Sequence, residues 1–280
     1  MTSNSDLDSV GIPTFSLANG VQMPVLGLGT YPMNNKEVPN AIRSAHAIGY
    51  TLFDTSSSYE NEKGVGKALE PTDFVTTKIS NRDQKSNSVE RGFLKSRRKL
   101  HRKQIDLLLL HWPYPDKYLE SWKVLEELYL EGKCRAIGVA NFHQHHLEKL
   151  IAHAEIKPMV NQIELHPLLS QVDLVKFCKE NDILVEAYSP FARMDKRLIE
   201  NEVLLSLAEK HGKKVTQIIL RWNYQNGIVS IPKTSSSVRM RENASIFDFV
   251  LSSEDMCLIE SQNAGLRVRF DPDNCNFDIL

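Results

Sequence analysis

The feature that most constrains the fold of this chain is a regular alternation between short apolar runs and longer stretches with helical spacing of their apolar residues. The apolar runs are rich in Val, Ile and Leu, which is typical of strands buried on both faces of a parallel sheet. They predict eight strands, at Val25–Leu28, Thr51–Phe53, Phe74–Thr77, Ile105–Leu110, Ala136–Val139, Met159–Ile163, Leu184–Ala187 and Ile228–Ile231.

The stretches between these runs carry apolar residues three and four positions apart, the spacing of an amphipathic helix. Eight strands alternating with helices over roughly 250 residues is the size and pattern of a (β/α)₈ barrel. A doubly wound sheet is the rival, but the first strand-helix turn, Gly27-Leu28-Gly29-Thr30, lacks the third glycine of a dinucleotide fingerprint. The predicted helices are Val38–Ile48, Asn61–Leu69, Ser86–Leu100, Tyr118–Glu131, His143–His153, Ser170–Asn181 and Glu202–Gln225, the last broken near His211-Gly212.

The two ends of the chain predict additions to this barrel. Asn19-Gly20 lies between two short apolar segments and predicts an N-terminal β-hairpin, because both residues tolerate positive φ. The segment from Gly265 onward has no helical period and predicts an irregular tail across one face of the barrel. We therefore predict one α/β domain over residues 1–280, a (β/α)₈ TIM barrel with the hairpin, two extra helices, a short tail and a flexible start at residues 1–10.

Charge and cysteine content limit the possible partners. The formal net charge is −1, and the basic cluster Lys95–Lys103 alternates with leucines at helical spacing, which favours a solvated helix face over a nucleic-acid site. No apolar run is long enough to cross a membrane and no signal peptide is visible, so we predict a cytoplasmic protein. Four widely spaced cysteines predict reduced thiols, and no exposed apolar stripe demands a partner, so we expect a monomer.

Four polar residues lie directly after a predicted strand or a few residues beyond its end. Asp54 and Tyr59 follow the run at Thr51–Phe53, Lys78 follows the next run, and His111 follows the next again. Each alone has a structural explanation, such as a helix cap or a polar strand end. Parallel strands of a barrel end at one common face, however, where such barrels carry their chemistry. The four side chains are therefore expected to meet in one site.

This set of groups suits reduction of a carbonyl, in which a hydride reaches carbon while a proton reaches oxygen. The pKa of a tyrosine is ordinarily about 10, too high for easy proton exchange at neutral pH. A nearby lysine cation favours the phenolate and lowers that pKa, and a carboxylate holds the lysine charged and oriented. A neutral histidine can hydrogen-bond the substrate oxygen.

The segments around these residues resemble the tetrad segments of the aldo-keto reductases. The likeness extends from Gly27 to about Asp278 and rests on Phe53-Asp54-Thr55-Ser56-Ser57-Ser58-Tyr59-Glu60-Asn61-Glu62, Thr76-Thr77-Lys78 and Leu108-Leu109-Leu110-His111-Trp112-Pro113. The resemblance implies that Tyr59 is the proton donor, that Lys78 and Asp54 tune it, and that His111 orients the substrate. It also implies an NADPH-dependent oxidoreductase that reduces aldehydes or ketones.

The resemblance continues into segments that hold the cofactor in this family. Gly138-Val139-Ala140-Asn141-Phe142 has Ala140 where a serine is usual, so Asn141 and Gln162 would contact the nicotinamide amide, with one hydroxyl bond lost. Tyr188 resembles the tyrosine that stacks on the nicotinamide, although it could instead only fill the barrel. The segment Ile231–Asn243 lies at the start of the eighth helix, and the resemblance implies cofactor contacts from Ser189, Lys233, Thr234, Ser235, Arg239, Glu242 and Asn243.

Lys233 and Arg239 are the residues that indicate NADPH rather than NADH. The amides at a helix N-terminus attract anions, and the resemblance puts these two cations at the adenosine 2′-phosphate. A serine-rich helix cap would explain the hydroxyls here but not the flanking cations.

The chain also departs from the family pattern. Tyr31 stands where tryptophan is common, Ser80-Asn81 stand where an aromatic residue is frequent, and the connection from Lys67 to Lys78 is short. We predict a clipped second helix and a substrate pocket formed by Tyr31, Trp112 and His111, with Tyr31, Ser80 and Ala140 as the positions where it differs. The resemblance is to microbial members that act on small aldehydes, 2-oxoaldehydes, keto acids or esters, and sugars.

Two other functions compete with this interpretation. A barrel that binds NADPH and regulates a partner would need no tuned phenol, so the complete tetrad argues against it. A metal-dependent hydrolase would need histidines and carboxylates clustered at strand ends, and only His111 and His166 come near, so no metal is expected.

Overall fold

A computed structural model describes residues 11–279 of the chain, so the predicted flexible start at residues 1–10 lies outside the described residues. An antiparallel hairpin precedes a sheet of eight parallel strands. The strands are β1 (Thr14–Ser16), β2 (Gln22–Pro24), β3 (Leu28–Gly29), β4 (Leu52–Asp54), β5 (Phe74–Ile79), β6 (Ile105–Leu110), β7 (Cys134–Ala140), β8 (Val160–Glu164), β9 (Leu184–Tyr188) and β10 (Val229–Ser230).

The helices lie between and after the parallel strands. They are α1 (Val38–His46), α2 (Glu62–Gly66), α3 (Asn81–Lys85), α4 (Val89–Lys99), α5 (Tyr118–Leu130), α6 (Gln144–Ile151), α7 (Val172–Glu180), α8 (Lys196–Ile199), α9 (Glu202–His211), α10 (Val215–Gln225), α11 (Ser237–Ala244) and α12 (Ser253–Glu260). No helix in residues 11–279 is both long enough and apolar enough to cross a membrane.

The parallel sheet closes into a barrel at its two edge strands. Strands β3 to β10 pair in sequence order, and Leu26, just before β3, forms a parallel bridge to Ser230 in β10. The Gly27 amide donates to the Ser230 carbonyl at 2.9 Å. Gly29 is required at this seam, because a Cβ there would lie 2.7 Å from the Ile231 carbonyl oxygen. The closed barrel leaves no open sheet edge and confirms the predicted (β/α)₈ fold.

The strands form the buried core, and their sequence explains why. Strand β6 is apolar at five of its six positions, Ile105 and Leu107–Leu110, and these side chains are fully buried between its neighbours and the surrounding helices. Each such side chain contributes about 1.5–3 kcal/mol when it is removed from water. The predicted strand at this position has the same limits as the observed one, because a long apolar run buried on both faces marks its own ends clearly.

The helices differ from the prediction mainly where short polar elements interrupt them. The stretch predicted as a helix at Ser86–Leu100 becomes helical only at Val89, where α4 begins, because Asn87 adopts a left-handed backbone, with φ of 51°, after the separate helix α3. The second helix is clipped as expected, and Gly66 at its end packs so closely that a Cβ there would overlap the Lys99 carbonyl oxygen. Helices α3, α8 and α12 lie outside the segments predicted from the sequence.

After α12 the chain forms an irregular tail, residues 265–279, across the mouth of the barrel at the carboxyl ends of the strands. Its backbone is anchored by the buried Glu164 carboxylate at the end of β8, which accepts from the amides of Val268 at 2.7 Å and Arg269 at 3.0 Å. Farther along, Asn81 donates to the Phe277 carbonyl at 2.9 Å. The predicted tail therefore has a fixed path, set by side chains that are distant in sequence.

Candidate active site

The four predicted catalytic residues converge at the carboxyl ends of three adjacent strands. Asp54 is the last residue of β4, Lys78 lies near the end of β5, and His111 directly follows β6. Tyr59 ends a 3₁₀ turn, Ser57–Tyr59, in which the Ser58 amide donates to the Ser56 hydroxyl as a cap. The parallel register brings these positions to one face, as expected for a barrel.

Lys78 and Asp54 form an ion pair that is removed from solvent. The Lys78 Nζ lies 2.8 and 2.7 Å from the two Asp54 carboxylate oxygens and 2.9 Å from the Thr55 carbonyl oxygen. Its side chain is fully buried and Asp54 is 3% exposed. Burial lowers the pKa of the Lys78 amine, but the charges of Asp54 and its other partners outweigh burial and raise it, so the amine remains a cation.

Tyr59 is the third member of this chain of contacts. Its hydroxyl lies 3.4 Å from the Lys78 Nζ, which also sits 5.0 Å from the centre of the phenol ring. The sequence argument expects lysine to lower the pKa of this phenol. In the structure burial is the larger effect and raises the Tyr59 pKa despite Lys78, so the phenol keeps its proton in the absence of substrate. This is the protonation state that a proton donor requires.

His111 lies beside the Tyr59 ring. The two ring centres are 5.8 Å apart and nearly perpendicular, and the Ser56 hydroxyl lies 3.3 Å from the His111 Nδ1. Burial, reinforced by the positive charges of Lys78 and Arg269, lowers the pKa of His111 well below its ordinary value. A neutral imidazole at this point can donate one hydrogen bond to a substrate oxygen without competing for the proton of Tyr59.

Glu186 is a buried carboxyl of the site that the sequence analysis does not single out. It lies inside β9 and is fully buried, and its Oε2 accepts from the Gln162 amide at 2.7 Å. The same Gln162 amide donates to Asp54 at 2.9 Å, so Glu186 joins the ion pair through Gln162. Burial, with the negative charge of Asp54, raises the pKa of Glu186 to about 8. A glutamate inside an otherwise apolar strand is the sequence signal that could have identified it.

This raised pKa predicts a pH dependence of stability that Glu186→Gln removes. Between its ordinary pKa of 4.5 and about 8, Glu186 is protonated in the folded protein but ionised in the unfolded chain. The folded state then binds more protons, so its stability falls as pH rises through this window, by up to about 1.4 kcal/mol per pH unit. Urea unfolding of both proteins from pH 5 to 9 should give curves that diverge, with Glu186→Gln gaining relative stability toward high pH. Parallel curves would show that this pKa is not raised.

The residues predicted to contact the nicotinamide lie together on the adjoining wall. Asn141, directly after β7, is bonded to Gln162 in β8, since the Asn141 backbone amide donates to the Gln162 backbone carbonyl at 2.8 Å. The Tyr188 hydroxyl donates to the Asn141 Oδ1 at 2.7 Å, and the Asn141 Nδ2 donates to the His111 carbonyl at 2.9 Å. These bonds hold Asn141 and Tyr188 in fixed orientations beside the predicted substrate-orienting group.

The residues predicted to contact the adenosine phosphate lie at the start of α11. Ser236 caps this helix, and Lys233 and Arg239 form no ion pair within residues 11–279. Glu242 is paired with Lys214, so its carboxylate does not cancel either free cation. A capped helix start flanked by two free cations has the charge that a phosphate dianion requires.

A cavity of about 900 Å³ joins these two groups of residues. Most of the predicted site residues line it: Tyr31, Asp54, Tyr59, His111, Trp112, Asn141, Gln162, Tyr188, Ser189, Lys233, Thr234, Arg239, Glu242 and Asn243. Lys78 lies behind Tyr59 and Asp54, and Ser235 faces solvent outside the cavity wall. This volume fits a dinucleotide together with a small second molecule.

Two of the three positions predicted to make the pocket distinctive do not line it. Ser80 caps α3, accepting from the Asp83 amide at 3.1 Å, and Ala140 is fully buried in β7. Neither faces the cavity, because one turns into a helix start and the other packs into the barrel wall. Of the three, Tyr31 alone lines the cavity, with its ring centre 5.0 Å from that of Tyr59.

Other parts of the cavity wall carry no signal that we recognise in the sequence. The segment after β9 contributes Phe191, Arg193 and Met194, and Arg193 and Met194 have left-handed backbone, with φ of 57° and 64°. Such backbone is costly for non-glycine residues and is found preferentially at functional sites. The tail contributes Arg269, Phe270 and Ile279.

A cluster of histidines beside the site fixes the tail from outside. Asp273 lies 2.7 Å from the His143 Nδ1, and His143, His146 and Asp273 are close enough to hold a metal ion. The second nitrogen of each ring faces a donor, however: the Arg267 guanidinium for His143 and the His143 amide for His146. Ligands to a metal usually donate from that second nitrogen. The contacts therefore describe a hydrogen-bonded clamp on Asp273.

The fold and this arrangement define a class of protein: a barrel oxidoreductase with a phenol, an amine and an imidazole at the end of a dinucleotide-sized cavity. Comparison with known proteins agrees, since the aldo/keto reductase family matches residues 25–264. The chain is 46% identical to glyoxal reductase of Bacillus subtilis (strain 168), over 94% of this chain and 98% of that protein. It is 41% identical to methylglyoxal reductase DkgA of Escherichia coli (strain K12), over 92% and 96% of the two chains.

A solved structure gives the same result for the fold. An aldo-keto reductase of the silkworm Bombyx mori, crystallised in complex with NADPH, superposes with a TM-score of 0.88 at 34% identity, covering 94% of this chain and 91% of that chain. This chain belongs to the aldo/keto reductase family. The predicted family and the predicted barrel are therefore confirmed, and so is the predicted class of enzyme, an oxidoreductase acting on carbonyl groups.

Proposed function

We propose that this protein reduces small aldehydes and ketones to alcohols with NADPH and that Tyr59 supplies the proton. The observation that carries the proposal is the contact of the Tyr59 hydroxyl with the Lys78 Nζ at 3.4 Å, where Lys78 is held by the buried Asp54 carboxylate. A phenol in contact with a buried cation serves proton transfer, and a protein that only binds a dinucleotide has no need of it.

Proton transfer follows from the charges around Tyr59. Burial keeps the phenol protonated at rest, while the Lys78 cation stabilises the phenolate that remains after the proton has left. Asp54 keeps Lys78 charged and oriented toward Tyr59. The Lys78 cation therefore lowers the free-energy cost of forming the buried Tyr59 phenolate. The neutral His111 donates a hydrogen bond to the carbonyl oxygen and directs it toward the Tyr59 hydroxyl.

The residues of the cavity fit NADPH. Asn141, Gln162 and Tyr188 would hold the nicotinamide end, with Tyr188 offering its ring face, and Lys233, Thr234 and Arg239 would hold the phosphate end. The free cations at the start of α11 are the structural argument for the 2′-phosphate, because NADH has no group to pair with them. When bound, the cofactor supplies the hydride, and the alcohol takes its proton from Tyr59.

The relatives support a range of small substrates for this chain. Glyoxal reductase and methylglyoxal reductase DkgA are named for small dicarbonyl compounds. We accordingly propose small aldehydes and 2-oxoaldehydes, with keto acids, keto esters and keto sugars as further candidates. Tyr31, which neighbours Tyr59, and Trp112, which neighbours His111, would form walls around the reacting carbonyl. A cytoplasmic location and a monomeric state remain predictions made from the sequence.

The test is a rate assay on a substrate panel with both cofactors. The wild type should oxidise NADPH in the presence of methylglyoxal, a simple aldehyde, a keto ester and a keto sugar, with NADH much less effective. The double variant Lys233→Met/Arg239→Met should raise the KM for NADPH more than about tenfold, since each substitution removes a charge-assisted hydrogen bond. The KM for NADH should be unchanged.

Lys36→Met, which removes an exposed cation outside the cavity, is the matched control and should leave both KM values alone. NADPH binding without turnover on any carbonyl would contradict the proposed reaction and would favour a regulatory cofactor-binding barrel. Equal use of NADH and NADPH by the wild type would contradict the role given to the two cations.

A further inference from the structure

The tail brings one arginine to the substrate end of the cavity, and apart from a minor effect of its charge on the pKa of His111 the proposed reaction gives it no task. The Arg269 side chain lines the cavity with its guanidinium carbon 5.9 Å from the centre of the Tyr31 ring. The Tyr31 ring in turn lies 5.0 Å from that of Tyr59. Arg269 is therefore one aromatic ring away from the predicted proton donor.

The position of Arg269 is fixed by the protein. The Arg269 amide donates to the buried Glu164 carboxylate at 3.0 Å, and the preceding amide, of Val268, donates to the same carboxylate at 2.7 Å. Two adjacent backbone bonds to one buried group hold this part of the tail against the end of β8. The side chain is also flanked by the Phe270 ring, whose centre lies 5.5 Å from the guanidinium carbon.

The charge of Arg269 has no counterion among the described residues. The Arg267 guanidinium, two positions earlier, lies 3.8 Å from the Glu164 carboxylate and helps to anchor the tail. Arg269 forms neither an ion pair nor a side-chain hydrogen bond within residues 11–279. The two carboxylates that line the cavity are already paired, Asp54 with Lys78 and Glu242 with Lys214. The substrate end therefore carries an uncompensated positive charge, separate from the cations at the phosphate end.

We propose that Arg269 binds a carboxylate on the substrate, so that the preferred substrates are carbonyl compounds with a carboxylate several bonds from the reacting carbon. A guanidinium presents paired donors that match a carboxylate, and its partial exclusion from water strengthens the interaction. The intervening Tyr31 ring sets the separation between the two groups, which favours ω-oxo acids and uronic acids over compounds whose carboxylate adjoins the carbonyl. This inference rests on the proposed function and names its substrate class.

The experiment compares two substrates that differ in charge but have the same reacting aldehyde, 4-carboxybenzaldehyde and methyl 4-formylbenzoate. The wild type should show the higher kcat/KM on the carboxylate. Arg269→Met should lower kcat/KM on the carboxylate about tenfold or more, mainly through KM, because it removes a charge-assisted contact. It should leave the ester unchanged, and Arg269→Lys should retain part of the preference.

Arg98→Met, on the exposed face of α4, is the control for a general loss of positive charge and should change neither substrate. An equal loss on both substrates in Arg269→Met would show that Arg269 only shapes the tail, and this would overturn the proposal. So would a wild type that prefers the ester, or an Arg269→Met variant that changes nothing. Failure of the proposed function looks different, because then the wild type would reduce neither aldehyde.

Discussion

Replacing Tyr59 by phenylalanine is expected to lower kcat for aldehyde reduction about 10²- to 10⁴-fold, the range typical of the loss of one general acid. The phenol is in contact with Lys78 at 3.4 Å, and no other hydroxyl of the described residues forms a hydrogen bond with that cation. The measurement is NADPH oxidation at saturating aldehyde, with cofactor affinity followed separately by quenching of protein fluorescence. Affinity for NADPH should not change, since the ring remains.

Tyr224→Phe provides the matched control for this result. Tyr224 lies on α10 outside the cavity, with its ring stacked on Phe15 at 5.8 Å, and its hydroxyl makes no hydrogen bond within residues 11–279. Its loss should leave kcat at the wild-type value. If Tyr59→Phe also kept wild-type turnover while binding NADPH normally, Tyr59 would not be the proton donor.

Lys78→Met should have the second large effect, on stability as well as on turnover. The substitution leaves the Asp54 carboxylate buried with only the Gln162 amide as a partner, and breaking such a buried pair typically costs about 3–5 kcal/mol. Urea unfolding should reveal this loss as a lower midpoint with an unchanged slope. Turnover should fall along with it, because nothing then stabilises the Tyr59 phenolate.

The double variant Asp54→Leu/Lys78→Met separates the two effects. Removing both charges leaves no stranded carboxylate, so the double variant should be more stable than Lys78→Met while remaining inactive. Lys117→Met, which breaks an exposed pair with Glu120 at 3.2 Å, should cost less than about 1 kcal/mol. A Lys78→Met variant as stable as the wild type would mean that the buried pair is not needed to balance Asp54.

The convergence of three of the predicted catalytic residues can be foreseen because their positions depend only on the regular part of the fold. Asp54, Lys78 and His111 follow apolar runs, and parallel pairing of those runs brings their ends to one face whatever the loops do. Strand limits are accurate where the run is long, as in β6, and less so for β3 and β10, which are each two residues long at the seam.

The rest of the site depends on contacts that have no local signature. The path of the tail is set by Glu164, about a hundred residues earlier, and by Asn81 in the third helix. Neither partner is near the tail in sequence, so the arrival of Arg269 at the cavity could not be foreseen. The prediction for Ser80 is wrong for a related reason, since a serine after a strand can cap a helix as easily as it can face a pocket.

The net effect of burial on the site also needs coordinates. The sequence identifies Lys78 as a group that lowers the pKa of Tyr59, but only the structure shows that burial outweighs it in the free protein. Glu186 is a similar case, because its raised pKa depends on its closeness to Asp54 and on its enclosure within the barrel. Charges can be listed from a sequence, whereas their exposure to water cannot.

The tail is attached to the barrel by a few side-chain hydrogen bonds, while the predicted catalytic residues Asp54, Lys78 and His111 stand at the ends of strands in one continuous ladder. Substitutions in the tail should therefore alter substrate preference without altering the catalysed reaction. A mutant library confined to residues 265–279 should yield variants with altered preference that still fold and still transfer hydride. Homologues that differ only in this tail would then differ in substrate range while catalysing the same reaction.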